Sequence, residues 1–327
     1  MFSRFRIMFY PATIYPLLAL TLLLAACNMS SPPGDSGKQV TPALPAATSP
    51  AQTQTSGKTK LPVFSHVFII VMENKEESAV IDNPAAPYLN KLATQYARAT
   101  NYYGIRHPSL PNYLALTGGD TFGITNDCTD CFINQDNLAA QLEMKGRSWK
   151  AYMESMPEPC YVGDIKQYAQ KHNPFIYFDN IRNDPARCKK IVPLSELDTD
   201  LQANTLPAFV WITPNLCNDT HDCPVETGDQ WLQTWVPKLL AAPAWQEKGV
   251  LFITYDEGKG SKGCCKLATG GQIVTVVISP LVQPGFQSGV PYNHYSLLRT
   301  IEEAWGLPLL GNAACDCTVP MSDFFGK

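Results

Sequence analysis

The stretch HVFIIVM, residues 66–72, decides the fold class, because it is a continuous apolar run rich in β-branched residues. Such a run is typical of a strand that is covered on both faces of a sheet. Similar runs recur along the chain as AFVWIT, VLFITY and QIVTVVIS, at residues 208–213, 250–255 and 272–279. Buried strands of this kind predict a central sheet that is mostly parallel.

Amphipathic stretches lie between these strands and predict helices. They cover residues 86–99, 135–146, 228–240 and 294–306. Asp136 is placed to cap the second of these helices, Gly146 to end it, and Gly306 to end the last one. Strands that alternate with helices predict an α/β fold, with helices on both faces of the sheet.

The composition narrows the class of protein. The chain has 327 residues and a net charge of −4, so it lacks the basic footprint of a nucleic-acid-binding domain, and we expect no nucleic-acid partner. Only 17% of the residues are charged and 27 are prolines, which favours a loop-rich exported protein.

The first 27 residues predict an export signal. Arg4 and Arg6 supply a positive start, and PLLALTLLLAAC gives an apolar segment too short for a stable membrane span. Residues 24–27 resemble the bacterial lipobox, which implies lipid attachment at Cys27. The alternative is an ordinary signal peptide that is cut near Ala26. The protein is therefore expected to be exported, either as a cell-surface lipoprotein held at the membrane through Cys27 or as a secreted protein.

Residues 28–61 predict a flexible tether, because they are rich in Ser, Pro, Thr and Ala and show no periodic apolar face. Such a segment cannot bury a hydrophobic core. We therefore expect the folded α/β domain over residues 62–327.

The cysteines predict disulfides, since ten of the 11 remain when Cys27 is set aside and an even number is typical of exported chains. Their spacing favours Cys128 with Cys131, Cys217 with Cys223, and Cys160 with Cys188. A zinc site at the C-x-x-C motif is the alternative, but no partner motif follows at zinc-finger spacing. Disulfide geometry argues against a bond between the adjacent Cys264 and Cys265. The partners of these two cysteines stay open.

Polar residues follow each strong strand directly. Glu73 and Asn74 follow the first strand, Asn215 lies just after the second, and Asp256 and Glu257 follow the third. In open α/β sheets, ligands bind outside the carboxyl ends of the strands. Oxygen-bearing side chains that meet there suit a divalent cation, whereas a solvated turn is the plainer interpretation of Asp-Glu.

The five histidines differ in context. His66 starts a strand and fits a structural role. His107, His221 and His294 lie in or next to polar loops beside the expected active edge, which favours phosphate contacts or metal binding. His172 is ambiguous, because a surface-loop role that orders the following Asn-Pro turn fits it as well.

The segment HPSLPNYLALTGG, residues 107–119, places Ser109 just before a predicted helix. Ser109 suits a helix cap, and Pro111 near the first helical position fits that role. It also suits a nucleophile, because a helix N-terminus favours a bound phosphate. Asn112 is then placed to donate its amide to a phosphate oxygen. This segment alone does not separate the two roles.

Seven segments together carry a family resemblance. They occur in the order VFIIVMEN, HPSLPNYLALTGG, KHNPF, PNLCNDTHDC, GDQWL, TYDEG and HYSLLRTIEEAWGLP. This ordered set, which runs from about Phe64 to Leu310, resembles the bacterial exported acid phosphatases of the phosphoesterase family. That family also contains non-specific phospholipases C and belongs to the alkaline phosphatase superfamily. Within that family, the sequence resembles the mycobacterial members that act on phosphatidylinositol 3-phosphate.

The resemblance implies an alkaline-phosphatase-like fold and a set of site residues. Ser109 matches the nucleophile. The metal ligands are matched by Glu73, Asn74, Asp256 and Glu257, and the phosphate-contacting or catalytic positions by Asn112, His107, His221 and His294. A divalent cation is the implied cofactor, and the oxygen-rich ligands favour a hard cation over zinc.

One departure bears on the number of metal ions. The two-zinc relatives have a histidine where this chain has Glu257. A second site formed by Asp219, His221 and His294 is one alternative. A single-metal site in which the histidines hold the phosphate is the other.

The predicted function is therefore that of an exported, metal-dependent acid phosphatase that forms a phosphoserine intermediate, with phosphatidylinositol 3-phosphate as a candidate substrate. A phosphodiesterase of the phospholipase C type is the first alternative. A non-catalytic, lipid-anchored binding protein is the second, and the complete set of candidate catalytic residues argues against it.

Overall fold

The structure is a computed structural model and describes residues 60–326. The predicted signal segment, Cys27 and almost all of the predicted tether lie outside the described residues. Within 60–326, no helix has the length and apolar character needed to cross a membrane.

The chain alternates strands and helices, as the sequence predicts. The strands are β1 Val67–Met72, β2 Ala97–Ala99, β3 Tyr102–Tyr103, β4 Trp149–Met153, β5 Ile191–Pro193, β6 Phe209–Thr213, β7 Val250–Tyr255, β8 Thr275–Ile278, β9 Phe286–Ser288 and β10 Tyr292–Asn293. The α-helices are α1 Glu77–Val80, α2 Pro87–Gln95, α3 Leu110–Gly118, α4 Leu138–Met144, α5 Asp179–Arg182, α6 Pro185–Cys188, α7 Ser195–Ala203, α8 Val225–Ala241, α9 Pro243–Gln246 and α10 His294–Trp305. Short 3₁₀ turns cover Gln170–His172, Pro174–Tyr177, Gly311–Ala314 and Ser322–Phe325.

A mostly parallel sheet forms the centre of the fold. Its strand order is β5-β4-β6-β1-β7-β8-β2-β9, and β5, β4, β6, β1 and β7 run parallel to one another. Strand β8 runs antiparallel to both of its neighbours. Every residue of β1, β6 and β7 is buried, which is why these strands are apolar on both faces. A separate short sheet pairs β10 with β3.

Helices surround the sheet in two groups, in agreement with the predicted α/β class. Helix α3 packs against α10 and α4, while α2 packs against α8. The pairing of β1 with β7 fixes the site, because Met72 is aligned with Tyr255 in the parallel register. The residues that follow these two strands therefore leave the same edge of the sheet side by side.

Some predicted boundaries were wrong. The first helix ends at Gln95, and the chain then enters strand β2. Asn137 rather than Asp136 caps α4, since its side chain accepts a hydrogen bond from Ala140 N. The prediction that Gly306 ends the last helix is confirmed: α10 runs to Trp305, and Gly306 follows in the left-handed conformation that glycine tolerates best.

The disulfides confirm three predicted pairs and overturn one prediction. Cys128–Cys131, Cys160–Cys188 and Cys217–Cys223 are bonded as the spacing indicated. Cys264 and Cys265 are bonded to each other, against the geometric expectation, and the backbone at Cys265 adopts a left-handed conformation with φ of 59°. Cys315 bonds to Cys317.

Candidate active site

The polar residues that follow β1 and β7 meet at one edge of the sheet. Asn74 N donates a hydrogen bond to Asp256 Oδ1 at 3.0 Å, and Asn74 Nδ2 donates to Glu73 Oε2 at 3.0 Å. Glu73 and Asp256 have no exposed surface. The convergence predicted for these residues is therefore present. Asn215, which follows β6, instead accepts the N–H groups of Cys217 and Asn218 and orders its own loop.

Ser109 lies at the start of α3 with its hydroxyl directed at Glu73. Its Oγ donates to Glu73 Oε2 at 3.1 Å, and its side chain makes no capping hydrogen bond. The cap comes from Asp127, whose Oδ1 accepts the Leu110 N–H at 3.0 Å. The predicted capping role of Ser109 is therefore wrong, and its hydroxyl is bonded to the Glu73 carboxylate instead.

Two further side chains contact the Glu73 carboxylate, and one of them links it to Asp219. Tyr113 OH donates to Glu73 Oε1 at 2.6 Å, and His172 Nε2 lies 3.1 Å from the same oxygen. His172 Nδ1 lies 3.2 Å from Asp219 Oδ2, and the imidazole stacks on Tyr113 with ring centroids 5.2 Å apart. His172 is buried, so the surface-loop interpretation of this histidine was wrong.

The carboxyl groups of the site have raised pKa values, because burial disfavours their charged forms. Burial, and then the charges of Asp256 and Asp219, raise the pKa of Glu73 well above its ordinary value. Burial raises the pKa of Asp256 and brings that of Asp219 to about 7. Burial, followed by the charge of Asp256, raises the pKa of Glu257 to about 9. Burial lowers the pKa of His172 to about 3, so this ring adds no compensating charge at neutral pH.

Two lysines stand next to this acidic cluster. Lys171 Nζ pairs with Asp127 Oδ2 at 2.9 Å, which links it to the residue that caps α3. Lys75 Nζ donates to the carbonyl of Thr220. Burial, and then the charge of Lys259, lower the pKa of Lys75.

His107 and Asn112 flank Glu257 on the other side. His107 Nδ1 lies 2.8 Å from Glu257 Oε2, and its Nε2 donates to Gly260 O at 2.9 Å. Asn112 is fully buried, and its amide nitrogen donates to Arg106 O at 2.6 Å. The same nitrogen lies 3.4 Å from Glu257 Oε2. Asn112 therefore orders the loop before Ser109, and a phosphate contact would have to compete with these bonds.

The remaining predicted histidines occupy different places. His221 is 29% exposed, its Nδ1 lies 2.6 Å from Asp222 Oδ1, and its ring lies 5.9 Å from that of His172. His294 is fully buried behind Asp256: its Nε2 donates to Asp256 O at 2.5 Å, and its Nδ1 lies 3.3 Å from Tyr102 OH. Burial lowers the pKa of His294 to about 4. His66 precedes β1, at the end of the strand opposite the site.

The donor set fits a cation in its chemistry. Within residues 60–326, Asp256 Oδ2 is buried without a hydrogen-bond partner, and Asp219 Oδ2 is buried with only His172 Nδ1 near it, at 3.2 Å. Buried carboxylate oxygens without partners are costly unless protons or cations neutralise them. In the part of the chain that the structure describes, however, no three His, Cys, Asp or Glu side chains are arranged as a ready-made metal cluster. The oxygen ligands match a hard cation, and their present spacing would have to tighten around it.

Sequence reasoning missed Asp127 and Tyr113, and for one of them a signal was available. Tyr113 follows Ser109 by four residues, which places both on one face of α3. Asp127 directly precedes the Cys128–Cys131 disulfide and has no periodic relation to α3. Its role depends on the fold bringing that loop to the helix.

A buried carboxylate that holds a serine hydroxyl at the carboxyl edge of a parallel sheet defines the class of protein, an α/β protein with a serine-centred site. The chain belongs to the phosphoesterase family, whose model matches residues 68–308.

Three relatives align with a large share of this chain. The phosphatidylinositol-3-phosphatase of Mycobacterium tuberculosis is 34% identical over 81% of this chain and 84% of its own length. An acid phosphatase of Aspergillus fumigatus is 32% identical over 78% of this chain, which spans only 58% of that protein. Phospholipase C A of M. tuberculosis is 28% identical over 53% of this chain and 39% of its own length.

A solved structure supports the fold alone. A protein of the alkaline phosphatase superfamily from Vibrio parahaemolyticus superposes with a TM-score of 0.53 at 12% identity, over 78% of this chain and 71% of that chain. The predicted alkaline-phosphatase-like fold is confirmed.

Proposed function

We propose that this protein hydrolyses phosphate monoesters and that Ser109 is the nucleophile. The observation that carries the proposal is the hydrogen bond from Ser109 Oγ to buried Glu73 at a helix start whose cap comes from elsewhere. The hydroxyl is not used for capping, and it lies at the positive end of the α3 dipole, which favours a bound phosphate. The acid phosphatase relatives support the same reaction.

The reaction would proceed in two balanced steps. Ser109 Oγ passes its proton to Glu73 Oε2 and forms a bond to phosphorus, while the ester P–O bond breaks and the leaving oxygen takes a proton from His221. Water then attacks the phosphoserine, gives a proton back to His221, and releases inorganic phosphate as Glu73 returns its proton to Ser109. Within residues 60–326, His221 Nε2 has no hydrogen-bond partner, which leaves it available for the leaving oxygen.

Four residues would hold a divalent cation: Glu73, Asn74, Asp256 and Glu257. When bound there, such an ion supplies positive charge that lowers the pKa of the serine hydroxyl and offsets the charge of the phosphate. The unpartnered Asp256 Oδ2 supports this assignment. The contacts of His294 with Asp256 O and Tyr102 favour a positioning role and argue against a second metal site that uses it.

The finer parts of the proposal concern substrate and location. The relative from M. tuberculosis supports a phosphoinositide substrate. The disulfides support folding in an oxidising compartment. The proposal includes export of the protein and lipid attachment at Cys27.

Turnover of p-nitrophenyl phosphate by the purified chain tests the reaction. We expect hydrolysis, and mass spectrometry after an acid quench should find phosphate on Ser109. Faster turnover of bis-p-nitrophenyl phosphate would favour the phospholipase C type of activity instead. Absence of turnover with both substrates, under any metal added, would refute the proposed function.

Chelation tests the cation separately. Exhaustive EDTA treatment should abolish turnover and lower the melting temperature, and one of Mg²⁺, Mn²⁺, Ca²⁺ or Zn²⁺ should restore both. The variant Glu73→Gln should lose the response of the melting temperature to the metal. Full activity and an unchanged melting temperature after chelation would remove the metal from the mechanism.

A further inference from the structure

A cavity of about 530 Å³ opens next to the active site. Ile105, Arg106 and His107 form one wall of it, and Lys266 lies in another. The His107 side chain is 41% exposed while its Nδ1 contacts Glu257 Oε2. This imidazole therefore stands between the carboxylate cluster and the cavity.

The wall of the cavity is fixed to the first turn of the nucleophile helix. Asn112 Oδ1 accepts the N–H groups of Ile105 and Arg106 at 2.7 and 3.2 Å, and Asn112 Nδ2 donates to Arg106 O. Ser109 precedes Asn112 by three residues. A group that extends from a phosphate at Ser109 past His107 would enter this cavity.

The charged side chains of the cavity have unused bonding capacity. Arg106 Nε is buried without a hydrogen-bond partner in the described chain. Among residues 60–326, neither Arg106 nor Lys266 takes part in an ion pair. The carboxylate in the lining, Asp120, accepts the N–H groups of Thr121 and Phe122 at 2.6 and 3.2 Å. The cavity thus contains two positively charged side chains, Arg106 and Lys266, and one carboxylate, which is already hydrogen-bonded.

The backbone also holds Lys266 in a costly conformation. Cys265 and Lys266 adopt φ values of 59° and 65°, and the Cys264–Cys265 bond ties the segment together. Consecutive non-glycine residues in the left-handed region are uncommon and tend to occur at ligand-binding segments. This backbone conformation therefore supports a ligand-binding role for Lys266.

We propose that this cavity receives the leaving group of the substrate and that Arg106 and Lys266 bind a second anionic group on it. The preferred substrates are then phosphate monoesters whose alcohol carries another phosphate, as in a phosphoinositide headgroup or a sugar bisphosphate. The volume matches that of ordinary ligand pockets, and guanidinium groups bind phosphate with paired hydrogen bonds. This inference rests on the proposed phosphatase function.

Two matched substrate pairs test it with the full-length protein. One pair is dibutanoyl phosphatidylinositol 3-phosphate and inositol 3-phosphate, and the other is fructose 1,6-bisphosphate and fructose 6-phosphate. For each pair the discrimination ratio is kcat/KM with the second anion divided by kcat/KM without it. We expect a ratio well above one in at least one pair, and that pair identifies the source of the second anion.

The variants Arg106→Gln and Lys266→Gln should each lower that ratio about tenfold, the usual scale for one charge-assisted hydrogen bond. Asp120→Asn removes the opposing charge and should raise the ratio about twofold to threefold, the scale of a partly exposed charge. Lys262→Gln is the matched control, because Lys262 is an exposed lysine on the same loop that does not line the cavity.

Lys266 is exposed, so its variant keeps the test valid even if Arg106→Gln fails to fold. Ratios near one for both pairs, or ratios that Lys266→Gln and Lys262→Gln change equally, would overturn the subsite. If p-nitrophenyl phosphate is not hydrolysed at all, the phosphatase function itself has failed. Turnover of p-nitrophenyl phosphate with unaltered ratios would overturn the subsite alone.

Discussion

Helices α3 and α10 both begin beside the active site, but their first turns are capped in opposite ways. Helix α10 is capped by its own flank: Asn293 accepts the N–H groups of Tyr295 and Ser296, and Ser296 Oγ accepts the Asn293 N–H. Helix α3 is capped from a distant loop by Asp127. The residue in the N-cap position of α3, Ser109, bonds to Glu73 instead.

The difference separates side chains that stabilise a helix end from a side chain that is able to react. A local capping box uses the side chains at the helix start and leaves none of them free to react. A remote cap satisfies the helix end while the N-cap hydroxyl stays available. Helix α10 accordingly supports the site through His294, whose ring holds the Asp256 carbonyl, whereas α3 presents the reactive group.

Replacing Ser109 by alanine gives the largest expected effect. The variant Ser109→Ala should lower kcat on p-nitrophenyl phosphate by about 1000-fold or more, the usual loss for a nucleophile. Its unfolding free energy should change by about 1 kcal/mol or less, because one hydrogen bond is lost. Ser296→Ala is the matched control, and it should lose stability while keeping turnover. Equal turnover in Ser109→Ala and the wild type would show that α3 does not present the reactive group.

The far end of α10 should give the protein a dependence of stability on pH. Glu302 is fully buried, Oε1 accepts the Leu310 N–H at 2.9 Å, and burial raises the pKa of Glu302 to about 8. Since this pKa lies above the ordinary value, the folded state binds more protons than the unfolded state between about pH 4.5 and 8. Stability should therefore fall as pH rises through this window, by at most about 1.4 kcal/mol per pH unit.

Urea unfolding at pH 5 and pH 8.5 measures this effect. The variant Glu302→Gln should lose less stability than the wild type between the two pH values. Glu303→Gln, at the exposed neighbouring position, should behave like the wild type. An identical pH response in Glu302→Gln and the wild type would show that Glu302 does not titrate in this range.

Removal of the local cap should destabilise the protein moderately. Asn293→Ala should cost about 1–2 kcal/mol of unfolding free energy, whereas Asn293→Ser, which retains an acceptor, should cost about half of that or less. Chemical denaturation at one fixed pH gives both values. If the two variants are equally unstable, the hydrogen bonds of the cap are not what Asn293 contributes.

Removal of the remote cap should destabilise the protein less than removal of the local cap, and it should also lower turnover. Asp127→Ala should cost about 1 kcal/mol, because the capping hydrogen bond and the partly exposed ion pair with Lys171 are lost. It should also lower kcat/KM, since the Asp127–Lys171 pair borders the site. Asp136→Ala is the control, as Asp136 precedes α4 without capping it. A stability loss that equals that of the control would show that α3 does not depend on its remote cap.

The central strands were the most predictable part of the molecule, whereas the strand predicted at residues 272–279 is shorter in the structure, where β8 covers Thr275–Ile278. Strand β7 matches its predicted bounds, and β1 and β6 differ from theirs by one residue. Strands that are buried on both faces are apolar throughout, so composition identified β1, β6 and β7 but not the parallel strand β4, which carries the partly exposed Lys150. The placement of Glu73 and Asp256 at one edge followed directly, because parallel neighbours end on the same side.

The wrong predictions concern residues for which two local patterns were equally good or for which a contact distant in sequence decided the outcome. Asp136 and Asn137 are both good N-cap residues, and the sequence pattern did not choose between them. The spacing of Cys264 and Cys265 argued against a bond that the strained loop accommodates. His172 lies in a polar segment, yet the fold buries it between Glu73 and Asp219.

The sequence by itself determined the α/β class, the parallel strands and the order of the chemistry-bearing residues, because hydrophobic periodicity is a local property of the chain. Only the tertiary structure decided which of those residues act together. Asp127 caps α3 in place of Ser109, and His172 contacts the Glu73 carboxylate. The ring nitrogens of His294 contact Asp256 O and Tyr102 OH. Each of these contacts joins residues far apart in the chain, so no local pattern contains it.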